Sequence, residues 1–228
     1  MSETDSFIDE VTEEVRRDRL FSMMRRYGWI GVLVILLIVG GATWNEWRKA
    51  RAEAEAQAFG DAVLAALESG DRAARADALD AVAAPGPGAA AIVDLLASAE
   101  RSGTDTQAAA RRLLELADSA DTPEIYRRLA TLKAVALPDS GLGPQARRDR
   151  LAPLASQPGL VRLLAEEQLA MIDLETGARA AALDRLSALA ADAEATPPLR
   201  RRVAQVIVAL GEELPDMPGA TGETRIGQ

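Results

Sequence analysis

From Tyr27 to Asn45 the chain runs nineteen residues without a charged side chain, and its centre, Trp29 to Val39, reads W-I-G-V-L-V-I-L-L-I-V. As an α-helix rising about 1.5 Å per residue this stretch would extend about 29 Å, close to the thickness of a bilayer's hydrocarbon core. Tyr27 and Trp29 stand at one end and Trp44 and Trp47 at the other, where amphipathic rings settle at the two headgroup levels. A buried core helix would be as apolar, but it rarely carries aromatic pairs at both ends. A cleaved signal peptide is the closer rival. The run is longer than an ordinary signal-peptide core, and Gly40-Gly41-Ala42-Thr43-Trp44 puts a bulky ring where small residues precede cleavage. An uncleaved transmembrane anchor over 27–47 is therefore expected.

Basic residues orient such an anchor. On its N-terminal side stand Arg16, Arg17, Arg19, Arg25 and Arg26, and on its C-terminal side Arg48, Lys49 and Arg51. Five against three, with Arg25-Arg26 abutting the apolar run, predicts a cytoplasmic N-terminus and an outward-facing remainder. In a bacterium that remainder is periplasmic and the membrane is the inner one. Before the anchor, Ser6-Phe7-Ile8-Asp9 has the form of a capping box, and Ile8, Val11 and Val15 follow at helical spacing. These predict a short amphipathic helix in a cytoplasmic leader over 1–26.

The chain has no Cys and no His, so Ser-His-Asp and Cys-His nucleophiles, thiolate metal sites and imidazole proton shuttles are all excluded. No enzymatic activity, cofactor or metal is expected. Six of eight aromatic residues fall in the first 47 residues, leaving Phe59 and Tyr126 for the rest. With a net charge of −9, that leaves neither stacking platforms nor a cationic surface for nucleic acid. The basic residues are 24 Arg against Lys49 and Lys133, which together with the abundance of Ala reads as genome composition rather than function.

Behind the anchor no period-two apolar run appears. Ala62 to Leu67, Ala91 to Ala99, Ile125 to Leu137 and Leu160 to Leu174 instead repeat apolar residues at three and four, predicting an all-α domain. Gly70, Gly103, Gly141, Gly177 and Gly211 stand 33, 38, 36 and 34 residues apart, and Pro87, Pro123, Pro158 and Pro197 follow the first four at 17 or 20. A helical hairpin needs a residue tolerant of positive φ at the turn after its first helix and a breaker after its second, which is this order. Residues 48–68 carry no Pro and few breakers and predict a helical stalk. Residues 84–88 predict a loop, residues 69–213 a hairpin domain, and residues 214–228 a disordered tail.

This period and punctuation resemble the tetratricopeptide repeat. With each turn glycine at position fifteen, the family's small positions fall on Ala134, Ala170 and Ala204 in first helices and on Ala108, Ala146 and Ala182 in second helices. The first hairpin departs, with Val63 and Arg75 there, and the family's aromatic positions hold Leu or polar residues. A helical array of another kind remains open. Such arrays bind partners along the face of their first helices, and carrying that rule over selects Leu164, Glu167, Met171, Leu174 and Glu175, then Arg201, Gln205 and Val208.

The leader ending in Arg25-Arg26-Tyr27-Gly28-Trp29, the single anchor, the Trp44-to-Lys49 exit and the Ala-rich repeat domain together resemble the ancillary subunit of the bacterial SecYEG translocon. The resemblance implies a place beside the translocon, unfolded or extended secreted chains as clients, and periplasmic folding factors as partners. Two alternatives stand beside it: a scaffold for a respiratory, division or assembly complex in the same membrane, and a cell-wall glycosidase using carboxylates such as those of Glu68 or Glu166-Glu167.

Overall fold

The computed structural model describes the backbone of residues 3–214 and side chains from residue 24 onward. Every regular element in that range is a helix. The chain divides into two units, Met1–Ala58 and Phe59–Gln228.

The first unit contains only helix α1 (Glu3–Leu67), whose last residues belong to the second unit. Because α1 starts at Glu3, Ser6 stands inside it and not at a cap. Its segment from Trp29 is long and apolar enough to cross a membrane, with a mean hydropathy of 1.6. The large apolar side chains from Trp29 to Val39 pack on no other element and are each between 42% and 67% exposed. Tyr27, Arg25 and Arg26 are exposed as well. At the other end the rings of Trp44 and Trp47 lie 5.3 Å apart, and the Arg51 guanidinium sits 5.7 Å from the Trp47 ring centre. Neither Gly40 nor Gly41 leaves the helix.

The second unit continues through α2 (Arg72–Asp80), α3 (Pro87–Arg101), α4 (Thr106–Asp118), α5 (Glu124–Ala136), α6 (Pro144–Ala155), α7 (Leu160–Glu175), α8 (Arg179–Ala191) and α9 (Pro197–Ala209). The punctuation falls at helix ends. Pro87 and Pro197 open α3 and α9, where a missing N–H costs nothing, and Pro123 caps α5. The loop expected over 84–88 instead spans 81–86, since α2 ends at Asp80 and Pro87 and Gly88 already belong to α3. Each helix from α2 to α9 packs on its sequence neighbours, and α5 also touches both α3 and α7.

Turn glycines fall into two groups. Gly177 and Gly211 take φ near +79° and +78°. Each closes a helix by donating to the carbonyl three residues back while the next N–H reaches one residue deeper: Ala178 N to Asp173 O at 2.8 Å, Glu212 N to Ile207 O at 3.2 Å. Gly141 is also left-handed. Gly70 and Gly103 are not, which corrects the single rationale drawn from their spacing. At Gly103 the neighbour is the exposed side chain of Arg72, which can swing aside.

Alanine fills the seams between helices. Ala134, Ala170 and Ala182 are fully buried as expected, whereas Ala108 and Ala204 are half-buried and Ala146 is exposed. The reason is helix phase. Ala182 is the fourth residue of α8, but Ala146 and Ala108 are third in α6 and α4, a rotation of about 100°. The fourth place in α4 is Ala109, fully buried, and in α6 it is Arg147. At the departures, Val63 packs in the first core cluster and Arg75 pairs with Glu100 at 2.8 Å.

Arginines cross the seams on the polar side. Arg112 joins Asp80 and Asp94, so α4 holds both α2 and α3. Asp173, only 6% exposed, receives Arg148 from α6 and Arg185 from α8, each at 2.9 Å. Burial pushes its carboxyl up, but the two arginine hydrogen bonds outweigh that and its pKa lies below the ordinary value. Asp118 is lowered by its hydrogen bond from Arg150, and Asp192 by the Glu194 backbone N–H and then by Arg162.

A carboxyl whose pKa is depressed on folding stabilises above its unfolded value, near 3.8 here, and loses that contribution as pH falls through the folded value. Residues 46–228 should therefore give a fully helical circular dichroism spectrum at neutral pH and lose thermal stability below about pH 4. Asp173→Asn should cost roughly 2 kcal/mol at pH 7, because it takes from Arg148 its carboxylate partner and from Arg185 one of two. The gap between variant and parent should narrow on acidification, read as melting temperature against pH.

Candidate functional site

Each inner helix of the second unit has two flanks committed to neighbours and one face left over. On α5, Ala130 and Ala134 pack towards α3 and α4, while Leu132 and Val135 pack towards α6 and α7. Its remaining face carries Ile125, Leu129, Lys133 and Ala136, all exposed. On α7, Leu163 and Ala170 join α8 and α9, and Ala165, Leu169 and Ile172 join α5 and α6. That leaves Leu160, Leu164, Glu167, Gln168, Met171 and Glu175. On α3, Val93 and Ala97 meet the end of α1 and α2, Ala91 and Leu95 meet α4 and α5, and Ile92 and Ala99 stay exposed.

The three leftover faces are adjacent. Ala99 of α3 and Lys133 and Ala136 of α5 line one recess of about 210 Å³. Gln168 Nε2 of α7 donates to the Leu132 carbonyl of α5 at 3.0 Å. The result is a surface on which Ile92, Ile125, Leu129, Leu160 and Met171 present apolar side chains, with Ile125 60% and Met171 47% exposed, and which Leu164 borders, half-buried against the cluster between α5, α6 and α7. Apolar groups collected on one face mark a surface that gains by being covered.

Of the residues selected from sequence, Met171 lies on this face, Leu164 borders it, and Leu174 is half-buried. Glu167 lies at its edge and is held by Arg202 of α9 through two hydrogen bonds of 2.9 and 2.7 Å; Glu175 is held by Arg147 of α6. Both carboxylates are therefore neutralised in place. The Glu167 contact raises the Arg202 pKa, chiefly through its hydrogen bond.

Arg201, Gln205 and Val208 are not brought to this face. The buried stripe of α9 is Leu199, Val203 and Ile207, and at about 100° per residue those three lie on the opposite side. Arg202 is the α9 residue turned towards α7. Sequence reasoning missed Ile92, Ile125, Leu129 and Lys133. Ile125 and Leu129 were visible as an i, i+4 pair, but period alone does not say which apolar stripe of a helix is buried.

A larger recess, about 680 Å³, lies between α3 and α4 and is lined by Asp94, Arg101, Arg112 and Asp121 among others. Two of its arginines are committed, Arg101 to Asp77 and Asp80 and Arg112 to Asp80 and Asp94, while Arg111 is exposed at its rim. Glu166 likewise pairs with Arg185. Comparison with known protein families, curated proteins and solved structures finds no match for this chain.

Charge on the apolar face should abolish whatever binding it supports without unfolding the domain, because the side chains concerned are already exposed. Leu129→Glu and Met171→Glu should each weaken any capture at this face about tenfold, measured by fluorescence anisotropy, with the melting temperature little changed. Ala146→Glu, on an exposed face of α6, should leave capture unaltered.

Proposed function

We propose that this chain is a single-anchor inner-membrane protein whose periplasmic domain is a tetratricopeptide-like array that holds extended segments of secreted chains beside the Sec translocon. The observation that carries the reading is the apolar face shared by α3, α5 and α7, in a chain whose α1 contains an exposed stretch long and apolar enough to cross a membrane. Supporting the repeat reading, glycine and proline stand at the ends of successive hairpins, and neighbouring first helices touch. In such an array the face of the first helices is the one available to an extended chain.

The uncovered run from Trp29 to Val39 favours a bilayer, where apolar side chains need no protein cover and the helix satisfies its own backbone. Arg25 and Arg26 before it and the Trp44–Trp47–Arg51 cluster after it suit two interfaces. Tethering raises the effective concentration of the domain at the membrane, so that weak contacts with an emerging chain suffice. The translocon is chosen by the resemblance of leader, anchor and repeat domain to its ancillary subunit, and with it come periplasmic folding factors as partners. Carboxylates engaged by arginine, as at Glu166 and Glu167, suit a binding domain better than acid catalysis.

Two measurements test the reading. A cysteine replacing Ser2 should be shielded from a membrane-impermeant maleimide in cells with a permeabilised outer membrane, and one replacing Ala120 should be labelled; the reverse pattern overturns the topology. Mild-detergent purification of the tagged protein should enrich translocon subunits or periplasmic folding factors over an unrelated single-anchor control. Enrichment of respiratory or division proteins alone would instead make it a scaffold of those complexes.

A further inference from the structure

We infer that the α3–α5–α7 face selects polypeptide segments in which one acidic side chain stands among apolar neighbours, its carboxylate received by Lys133 and the Ser98 hydroxyl. The inference rests on the proposed chain-binding role of that face and specifies the chemistry of the occupant.

Lys133 is the only lysine of the second unit, and it lies in the middle of the apolar stripe of α5, four residues after Leu129 and eight after Ile125. Among the described residues no carboxylate stands within ion-pair distance of it, although eleven arginines of the same unit each have one. The other charges bordering the face are cancelled, Glu167 by Arg202 and Glu175 by Arg147. In a chain with a net charge of −9, the apolar face of α3, α5 and α7 thus presents, among the described residues, a single uncompensated cation.

That arrangement discriminates. A purely apolar segment laid across α5 would strip water from the ammonium and give nothing in return, and an unpaired charge is costly to desolvate. A segment that places a carboxylate there replaces the lost hydration with a charge-assisted hydrogen bond.

Ser98 supplies an independent observation beside it. The hydroxyls of Ser102 and Ser156 donate to carbonyls three or four residues back, at 2.8 and 3.1 Å. Ser98 is 1% exposed, and its Oγ has no partner. It lines the same 210 Å³ recess as Lys133, with Leu95, Ala99, Leu113 and Leu137 forming apolar walls. The recess has room for one side chain, with a hydroxyl at its base and a cation at its edge. Because α5 is the middle of the three helices, a chain crossing the face continues on both sides of Lys133, which favours an internal Asp or Glu over a chain end.

The test uses the full-length protein in lipid nanodiscs, with empty nanodiscs as reference and a short end-capped fluorescent peptide of Leu, Ala and Ser carrying one central Glu. Its twin has Gln there, and a third peptide has Gln and a free C-terminal carboxylate. The Glu peptide should bind about fivefold more tightly than the Gln twin at low salt, and the preference should shrink as salt is raised. Lys133→Met should erase the preference while leaving the Gln twin's affinity equal or better, Lys133→Arg should retain it, and Ser98→Ala should reduce it. Equal binding of both peptides, or a preference that survives Lys133→Met, overturns the inference while leaving chain binding intact. A preference shown only by the free-terminus peptide overturns the assignment to an internal side chain. If a folded protein binds no peptide at all, the chain-binding role falls and this inference falls with it.

Discussion

Alanine at the helix seams is the constraint on which the second unit depends. Ala91, Ala97, Ala109, Ala110, Ala130, Ala134, Ala165, Ala170, Ala182 and Ala190 are all fully buried, and each lets two helices approach until larger neighbours such as Leu113, Leu163 and Leu186 interdigitate. Helices packed this closely on two flanks have only about a third of their circumference left. On α5 and α7 that remainder is where Ile125, Leu129, Leu164 and Met171 stand. The same packing that builds the core thereby leaves a continuous apolar strip uncovered.

Arginine carries the second layer of organisation. Its fork spans from one helix to the next where the seam opens to solvent, as Arg112 does across α2, α3 and α4, and as Arg148 and Arg185 do at Asp173. A lysine's point charge does not bind a carboxylate through two parallel bonds, so the near-absence of lysine has a structural meaning that composition alone did not reveal. Most exposed pairs of this kind contribute little singly. The buried Asp173 is different, because removing its charge leaves Arg148 without a carboxylate and Arg185 with Glu166 alone.

Much of this was legible beforehand, since it is written in local rules. The uncharged run from Tyr27 is visible by length, the helices by their three-and-four spacing, and the hairpin ends by Gly and Pro. Helical phase was not legible. Counting from a turn glycine assumes turns of one length, yet α4 and α6 begin three residues after Gly103 and Gly141 while α8 begins two residues after Gly177. A slip of one residue turns a side chain by about 100°, which is how Ala146 came to be exposed. Arg201, Gln205 and Val208 stand apart from the α7 face for a different reason: the α7 positions were carried onto α9, whose one buried flank turns those residues away from α7.

What remains is whether the uncovered strip is where chains are held in the cell. A photoreactive amino acid placed at position 129 in the full-length membrane protein, with a second version at exposed position 146 on α6, asks that directly. The account predicts that irradiation of growing cells links position 129 to secreted chains in transit and leaves position 146 largely unlinked. Equal yields of the same products from both positions, or products from 146 alone, would contradict it.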